Sequence, residues 1–287
     1  MAENKDKLIE EISKIRQILE DKYTRTEIKV DWEEAHAYMW QSEEKSFRPV
    51  KNVNSIPLEL LKGIDQNIDI LFENTLKFSK SLPANNALLW GARGMGKSSL
   101  IKGIHGKLSK TSKNKLVLIE IHREDIRDLP DILGIIKQFN EINFIIFCDD
   151  LSFDNDDTTY KSLKTALEGG IEGRPNNVIF YATSNRRHLM AREMIENETS
   201  TAINPSEAIE EKVSLSDRFG LWIGFHNCSQ EQYLSMIDAY TRHYKIPQTE
   251  NLHSEAIAWA AGRGSRSGRV AWQFITAMAA KNNIKLN

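Results

Sequence analysis

The sequence lacks the features that mark several large classes of protein. Its two cysteines, Cys148 and Cys228, lie far apart without C-x-x-C spacing or a neighbouring histidine cluster, which argues against a disulfide framework and against a zinc site. No stretch approaches the roughly 18 apolar residues of a membrane span, and the charged start from Met1 to Glu11 has no apolar run of the kind a signal peptide carries. These absences predict a cytoplasmic protein with no membrane partner. Neither sign of charge dominates: 38 Lys and Arg stand against 40 Asp and Glu, a formal charge of −2. That balance excludes a surface coated throughout with cations; nucleic acid, which would need a local basic patch, is possible but not indicated. No internal repeat or low-complexity block is present.

What is present begins with one glycine-rich stretch. Leu88-Leu89-Trp90 is a short apolar run, and it leads through Gly91, Ala92, Arg93, Gly94, Met95 and Gly96 into Lys97, Ser98 and Ser99. Gly91, Gly96, Lys97 and Ser98 fit the pattern G-x-x-x-x-G-K-[ST] of a phosphate-binding loop. Glycines let the backbone wrap a polyphosphate with its N–H groups facing in, at the positive end of the following helix. Lys97 would reach the β- and γ-phosphates, and the Ser98 hydroxyl would ligate Mg²⁺. The expected cofactors are ATP and Mg²⁺.

The 287 residues and an apolar fraction of 40% suffice for one large or two modest domains. Leu8, Ile12, Ile15 and Leu19 have the spacing of an amphipathic helix over Asn4 to Tyr23, and Trp32, Ala35, His36, Met39 and Trp40 repeat it. Breakers from Phe47 to Pro57 place a boundary after this helical segment. Beyond it, helices over about 64–79, 97–108, 132–139 and 160–167 alternate with strands at Leu88, 116–121, 143–148, 178–182 and 221–225. The run Phe144 to Cys148 is too continuous to be half-exposed and reads as a central parallel strand. The alternation predicts an α/β domain with a mainly parallel five-stranded sheet in a three-layer αβα core, followed by helices to the C-terminus. The expected organisation is an N-terminal helical segment over 1–48, a nucleotide-binding core over 49–226 and a helical lid over 227–287.

Hydrolysis needs a hard acid near the metal and a base near the water. Asp149, where the buried strand emerges, is placed to hold Mg²⁺, and Asp150 to act on the water. If the strand at 178–182 lies beside the one ending in Asp149, the Asn185 amide can reach the attacking water or the γ-phosphate; a turn-former after a strand is the plainer alternative.

The phosphate loop, the acidic strand end, Asn185, Ser216-Asp217-Arg218-Phe219 and Gly268-Arg269-Val270-Ala271 occur in the order that marks AAA+ ATPases. Asn85-Asn86, the string from Phe147 to Phe153, Tyr181 to Leu189, Ser214 to Leu221 and Arg266 to Ala271 resemble a bacterial family of AAA+ ATPases known only as a domain of unknown function. The resemblance covers roughly residues 31 to 280. It implies that Gly91 to Ser98 are the Walker A loop and Asp149 and Asp150 the Walker B pair. It also implies that Asn185 is sensor 1, that Arg218 is an arginine finger offered to the next subunit, and that Arg269 is the lid's sensor 2, with Arg266 as the reserve. Arg263, Arg266 and Arg269 would equally suit contacts to a nucleic-acid backbone. Leu61, Gly63 and Ile64 resemble the segment that supplies the adenine pocket; helix-start packing explains them as well. Many AAA+ members have Glu where this chain has Asp150, so hydrolysis is expected to be slow if the shorter side chain acts weakly. The implied function is an ATP hydrolase in a homo-oligomer, remodelling or loading an unknown macromolecular partner. A slow nucleotide-gated switch or loader, with DNA as one candidate partner, is the alternative.

Overall fold

The computed structural model describes residues 14, 30–153, 159–169, 173–187, 189 and 215–286. The helix expected from Asn4 to Tyr23 lies outside the described residues. Strands β1 (Ala37–Gln41), β2 (Ser46–Pro49), β3 (Ala87–Gly91), β4 (Lys115–Ile121), β5 (Ile142–Cys148), β6 (Val178–Ser184) and β7 (Leu221–Phe225) form one sheet in the order β2-β1-β4-β5-β6-β3-β7. The run from β4 to β7 in that order is the parallel five-stranded sheet that the sequence predicts. Every residue of β5 and β6 is buried, as befits strands covered on both faces.

The covering helices follow from the same alternation. On one face lie α1 (Asp65–Ser79) and α2 (Lys97–Leu108), whose Leu71, Phe78, Leu100 and Ile104 pack on Ile145 and Phe147 of β5. On the other lie α3 (Leu129–Ile136) and α4 (Thr159–Glu168), whose Ile132, Ile136 and Leu163 join Phe144 and Ile146. Alternate side chains of β5 thus supply both cores. After β7 come α5 (Gln230–His243), α6 (Leu252–Gly262) and α7 (Gly268–Lys281). Helix α5 starts on a capping box between Ser229 and Gln232, and α7 starts on Ser267, whose Oγ accepts from Val270 N at 3.3 Å.

One expectation is corrected. The stripe Trp32, Ala35, His36, Met39 and Trp40 does not form a helix: a turn at Trp32–Glu34 leads into β1, which pairs parallel with β4 and antiparallel with β2. Trp32 and Trp40 are buried, but so are Ala37 and Tyr38 between them, whereas His36 faces solvent. Burial on both sides of the chain suits a strand, and pairing with a distant strand overrides a local 3.6-residue period. Asp128 fastens the extension: it accepts from Trp40 Nε1 at 3.0 Å, from Ser42 Oγ and from Lys45 Nζ. Beginning at β1, then, the residues before position 49 extend the core sheet to seven strands.

Helix α2 packs on β4 through His105, whose ring is 1% exposed and whose Nε2 lies 3.3 Å from Leu116 O. Burial pushes this imidazole down to about 4, against about 6.5 in an unfolded chain. The folded form holds a neutral ring, so the unfolded chain takes up the extra proton and stability falls as pH drops from 6.5 through 4. Denaturant unfolding across that window is expected to show His105 contributing a loss of about 3 kcal/mol. The loss should appear as the difference between wild type and His105→Gln; a flat difference curve would refute it.

Candidate functional site

The loop after β3 is shaped by three residues with positive φ: Gly91 at 126°, Gly94 at 73° and Gly96 at 89°. A Cβ on Gly91 would sit 2.0 Å from Phe225 O, because Ala92 N donates to that oxygen at 3.0 Å and ties the loop to the end of β7. Gly96 in the left-handed region turns the chain into α2 and leaves that helix's first N–H groups facing the cleft. The strand-loop-helix context that the motif requires is therefore present.

Lys97 is the first residue of α2 and is buried. Its Nζ donates to Gly91 O and Ala92 O, each at 2.8 Å, and to Asn185 Oδ1 at 3.2 Å. Burial lowers its pKa, and Arg269 and Arg93 push the same way against the nearby Asp149 and Asp150. An arriving anion would offset that penalty. Next to it, Ser98 Oγ donates to Asp149 Oδ1 at 2.5 Å.

Strand β6 lies between β5 and β3, which answers the sequence's conditional about Asn185. Its amide faces two ways: Oδ1 accepts from Lys97, and Nδ2 donates to Asp150 Oδ1. Asp149 and Asp150 are exposed where β5 ends, and Asp150 has φ 52°, a strained conformation for a residue with a side chain.

These groups line a cleft of about 570 Å³. Arg93, Gly94, Met95, Gly96, Ser98 and Ser99 of the loop border it, as do Leu61 and Ile64. Gly91 and Ala92 do not line it; their carbonyls accept from Lys97, which does. Gly63 is outside the lining: its carbonyl accepts from Gln232 Nε2 at 3.3 Å, so it joins the start of α1 to α5. Arg269 reaches the cleft and Arg266 does not line it. The start of α7 is bound to the loop, with Arg269 N donating to Gly94 O at 3.1 Å. Arg218, just before β7, does not line its own chain's cleft and pairs with Glu168 at the end of α4, Nε to Oε1 at 2.7 Å and Nη2 to Oε1 at 2.5 Å.

The residues fit a polyphosphate with Mg²⁺. The glycine cradle is one that side chains would fill, the cations Lys97, Arg93 and Arg269 converge on it, and Ser98 with Asp149 offers hard oxygen donors of the type that Mg²⁺ takes.

The family model described as "Protein of unknown function (DUF815)" matches residues 33–282. The chain belongs to that family. None of the curated proteins matches it significantly. Among solved structures it is similar to a Thermotoga maritima RuvB, a Holliday junction branch migration motor, at 14% identity and a TM-score of 0.51, over 77% of this chain and 63% of that one. A point mutant of RuvB matches at 13% identity and a TM-score of 0.48, over 74% and 60%. The chain spans less than two thirds of the length of these two RuvB chains. The likeness shows the fold, the AAA+ P-loop fold, and the DUF815 chain carries it with the site described above.

Sequence reasoning missed the part that the C-terminal helices take in the cleft: Met236 and Tyr240 from α5 and Trp272 from α7 line it. Their helical spacing reads as core, and nothing local separates a lid face from a core face. It also missed Thr183, whose hydroxyl joins Asp149 and Asp150; only its place two residues before Asn185 hinted at it.

Two glycines should respond oppositely to alanine. At Gly91 the added methyl collides with Phe225 O and the backbone is strained, so Gly91→Ala is expected to cost more than about 2 kcal/mol. At Gly134, inside α3, a Cβ meets nothing within 4 Å, and Gly134→Ala is expected to stabilise by about 0.5–1 kcal/mol. Parallel thermal melts check both.

Proposed function

We propose that this chain binds and hydrolyses Mg-ATP within a homo-oligomer and uses the cycle to remodel or load a macromolecular partner. The observation that carries the reading is the convergence of Lys97, Ser98, Asp149, Asp150 and Asn185 at the carboxyl ends of β3, β5 and β6 in a single cleft. Lys97 would leave the Gly91 and Ala92 carbonyls for the β- and γ-phosphates. Ser98 and Asp149 would hold Mg²⁺, which when bound supplies neutralisation of phosphate charge. Asp150 would orient the attacking water and accept its proton, with Asn185 fixing the water or the γ-phosphate. Arg269 would report the phosphates to the lid, and Arg218 of a neighbouring subunit would complete the site by leaving Glu168. We take the lid as 227–287, and Leu61 and Ile64 as one wall for the base.

A second reading, a nucleotide-gated switch or loader that turns over slowly, is favoured by Asp150. Its side chain is one methylene shorter than the usual Glu, its backbone is left-handed, and its carboxylate is engaged by Asn185. A DNA partner is the weakest extension, and indifference to DNA at low salt would end it.

Phosphate release measured across protein concentrations tests the proposal. Mg²⁺-dependent turnover should rise with concentration and vanish in Lys97→Ala. Arg218→Ala should lower kcat by about 10³ or more while leaving nucleotide affinity intact. Absence of Mg²⁺-dependent release at every concentration would sink the hydrolase. A large gain in Asp150→Glu identifies the slow switch, whereas brisk wild-type turnover abolished by Asp150→Asn excludes it.

A further inference from the structure

We propose that Thr183 is the residue that aims the Asp149 carboxylate at the metal position and holds the Asp149-Asp150 turn in register. The proposal rests on the Mg-nucleotide reading of the same cleft. Thr183 is on β6 and 1% exposed. The β5–β6 ladder runs only as far as Cys148 opposite Ala182; past that pair β5 breaks away into its acidic turn. There Thr183 takes over with both of its oxygens. Its carbonyl accepts from Leu151 N at 2.7 Å, and its Oγ1 accepts from Asp150 N at 2.9 Å.

A hydroxyl has one proton to give. Because Asp150 N–H is itself the donor to Oγ1, the Thr183 proton is directed elsewhere, and it goes to Asp149 Oδ1. The same carboxylate oxygen accepts from Ser98 Oγ at 2.5 Å. A metal ion would take a lone pair of Ser98 Oγ and leave its proton in place, so the bonds from Ser98 and Thr183 together would keep this oxygen engaged and the carboxylate aimed. The Asp150 backbone, at φ 52°, is held in a conformation that L residues rarely adopt, and such strain persists only where neighbouring bonds over-determine it. Thr183 supplies one of them. A partner that orients a metal-binding carboxylate in this way typically governs 10–100-fold in metal affinity.

The experiment titrates a fluorescent ATP analogue against wild type, Thr183→Val and Thr183→Ser, in EDTA and in Mg²⁺. Wild type should bind more tightly with Mg²⁺. Thr183→Val, which keeps the shape and loses the hydroxyl, should retain the EDTA affinity and require at least about tenfold more Mg²⁺ for the gain; Thr183→Ser should restore it. In an Asp149→Asn background the Val substitution should add no further loss, since Thr183 acts through Asp149. Should the Val variant not fold, Thr183→Ala is read in the same titration. An unchanged Mg²⁺ requirement in the hydroxyl-free variant, or equal weakening in EDTA and Mg²⁺, overturns the proposal while the nucleotide reading stands. If wild type does not bind the analogue in either buffer, the nucleotide reading falls, and this proposal falls with it.

Discussion

A buried ammonium group sets the terms for the whole site. Lys97 is 7% exposed, and a cation so placed is tolerated only when oxygens surround it. The chain supplies two carbonyls of the glycine loop and the amide oxygen of Asn185. Each comes from a different constraint. The carbonyls point inward because Gly91 adopts a φ that places it against Phe225 of β7, and Asn185 arrives because β6 runs between β3 and β5. The cation is thus satisfied when β6, β3 and β7 lie side by side, which links the site's geometry to the fold's topology.

The acids answer a different need. Asp149 and Asp150 stand where β5, buried along its whole length, comes out to solvent. Two carboxylates on adjacent residues repel one another, and the chain keeps them apart with distinct partners: Ser98 and Thr183 for Asp149, Asn185 for Asp150. Because Asn185 touches both Lys97 and Asp150, displacement of the ammonium by an anion alters the hydrogen bonding of the acid beside it. The cation and the carboxylate are coupled through one amide.

What could be read from sequence divides along the range of the interactions involved. The glycine loop is legible because its positive φ values fall on Gly91, Gly94 and Gly96, which tolerate them, and β5 because a run of Ile and Phe admits few other environments. Asp149, Asp150 and Asn185 could be placed because they follow strands directly. The first strand was illegible: the spacing of Trp32, Ala35, Met39 and Trp40 is helical on paper, and only pairing with β4, together with Asp128 holding Trp40, makes it extended. The cleft residues Met236, Tyr240 and Trp272 were hidden for the same reason, since which side of a helix meets a cleft is decided by packing far away in the sequence. The Arg218–Glu168 pair joins segments 50 positions apart, and no local pattern announces it.

The bond from Arg269 N to Gly94 O has a mechanical consequence. Helix α7 is 14 residues long, a rod of about 21 Å at 1.5 Å per residue, and it is pinned at its first turn to the backbone of the glycine loop. A rod held at one end amplifies: tilting it by roughly 10° carries its far end through about 4 Å over that length. Helix α7 also packs on α5 and α6, and Phe274 and Ile275 belong to the core they share. Any tilt of α7 about the Gly94 contact would therefore be largest at the end of the helix farthest from the glycine loop.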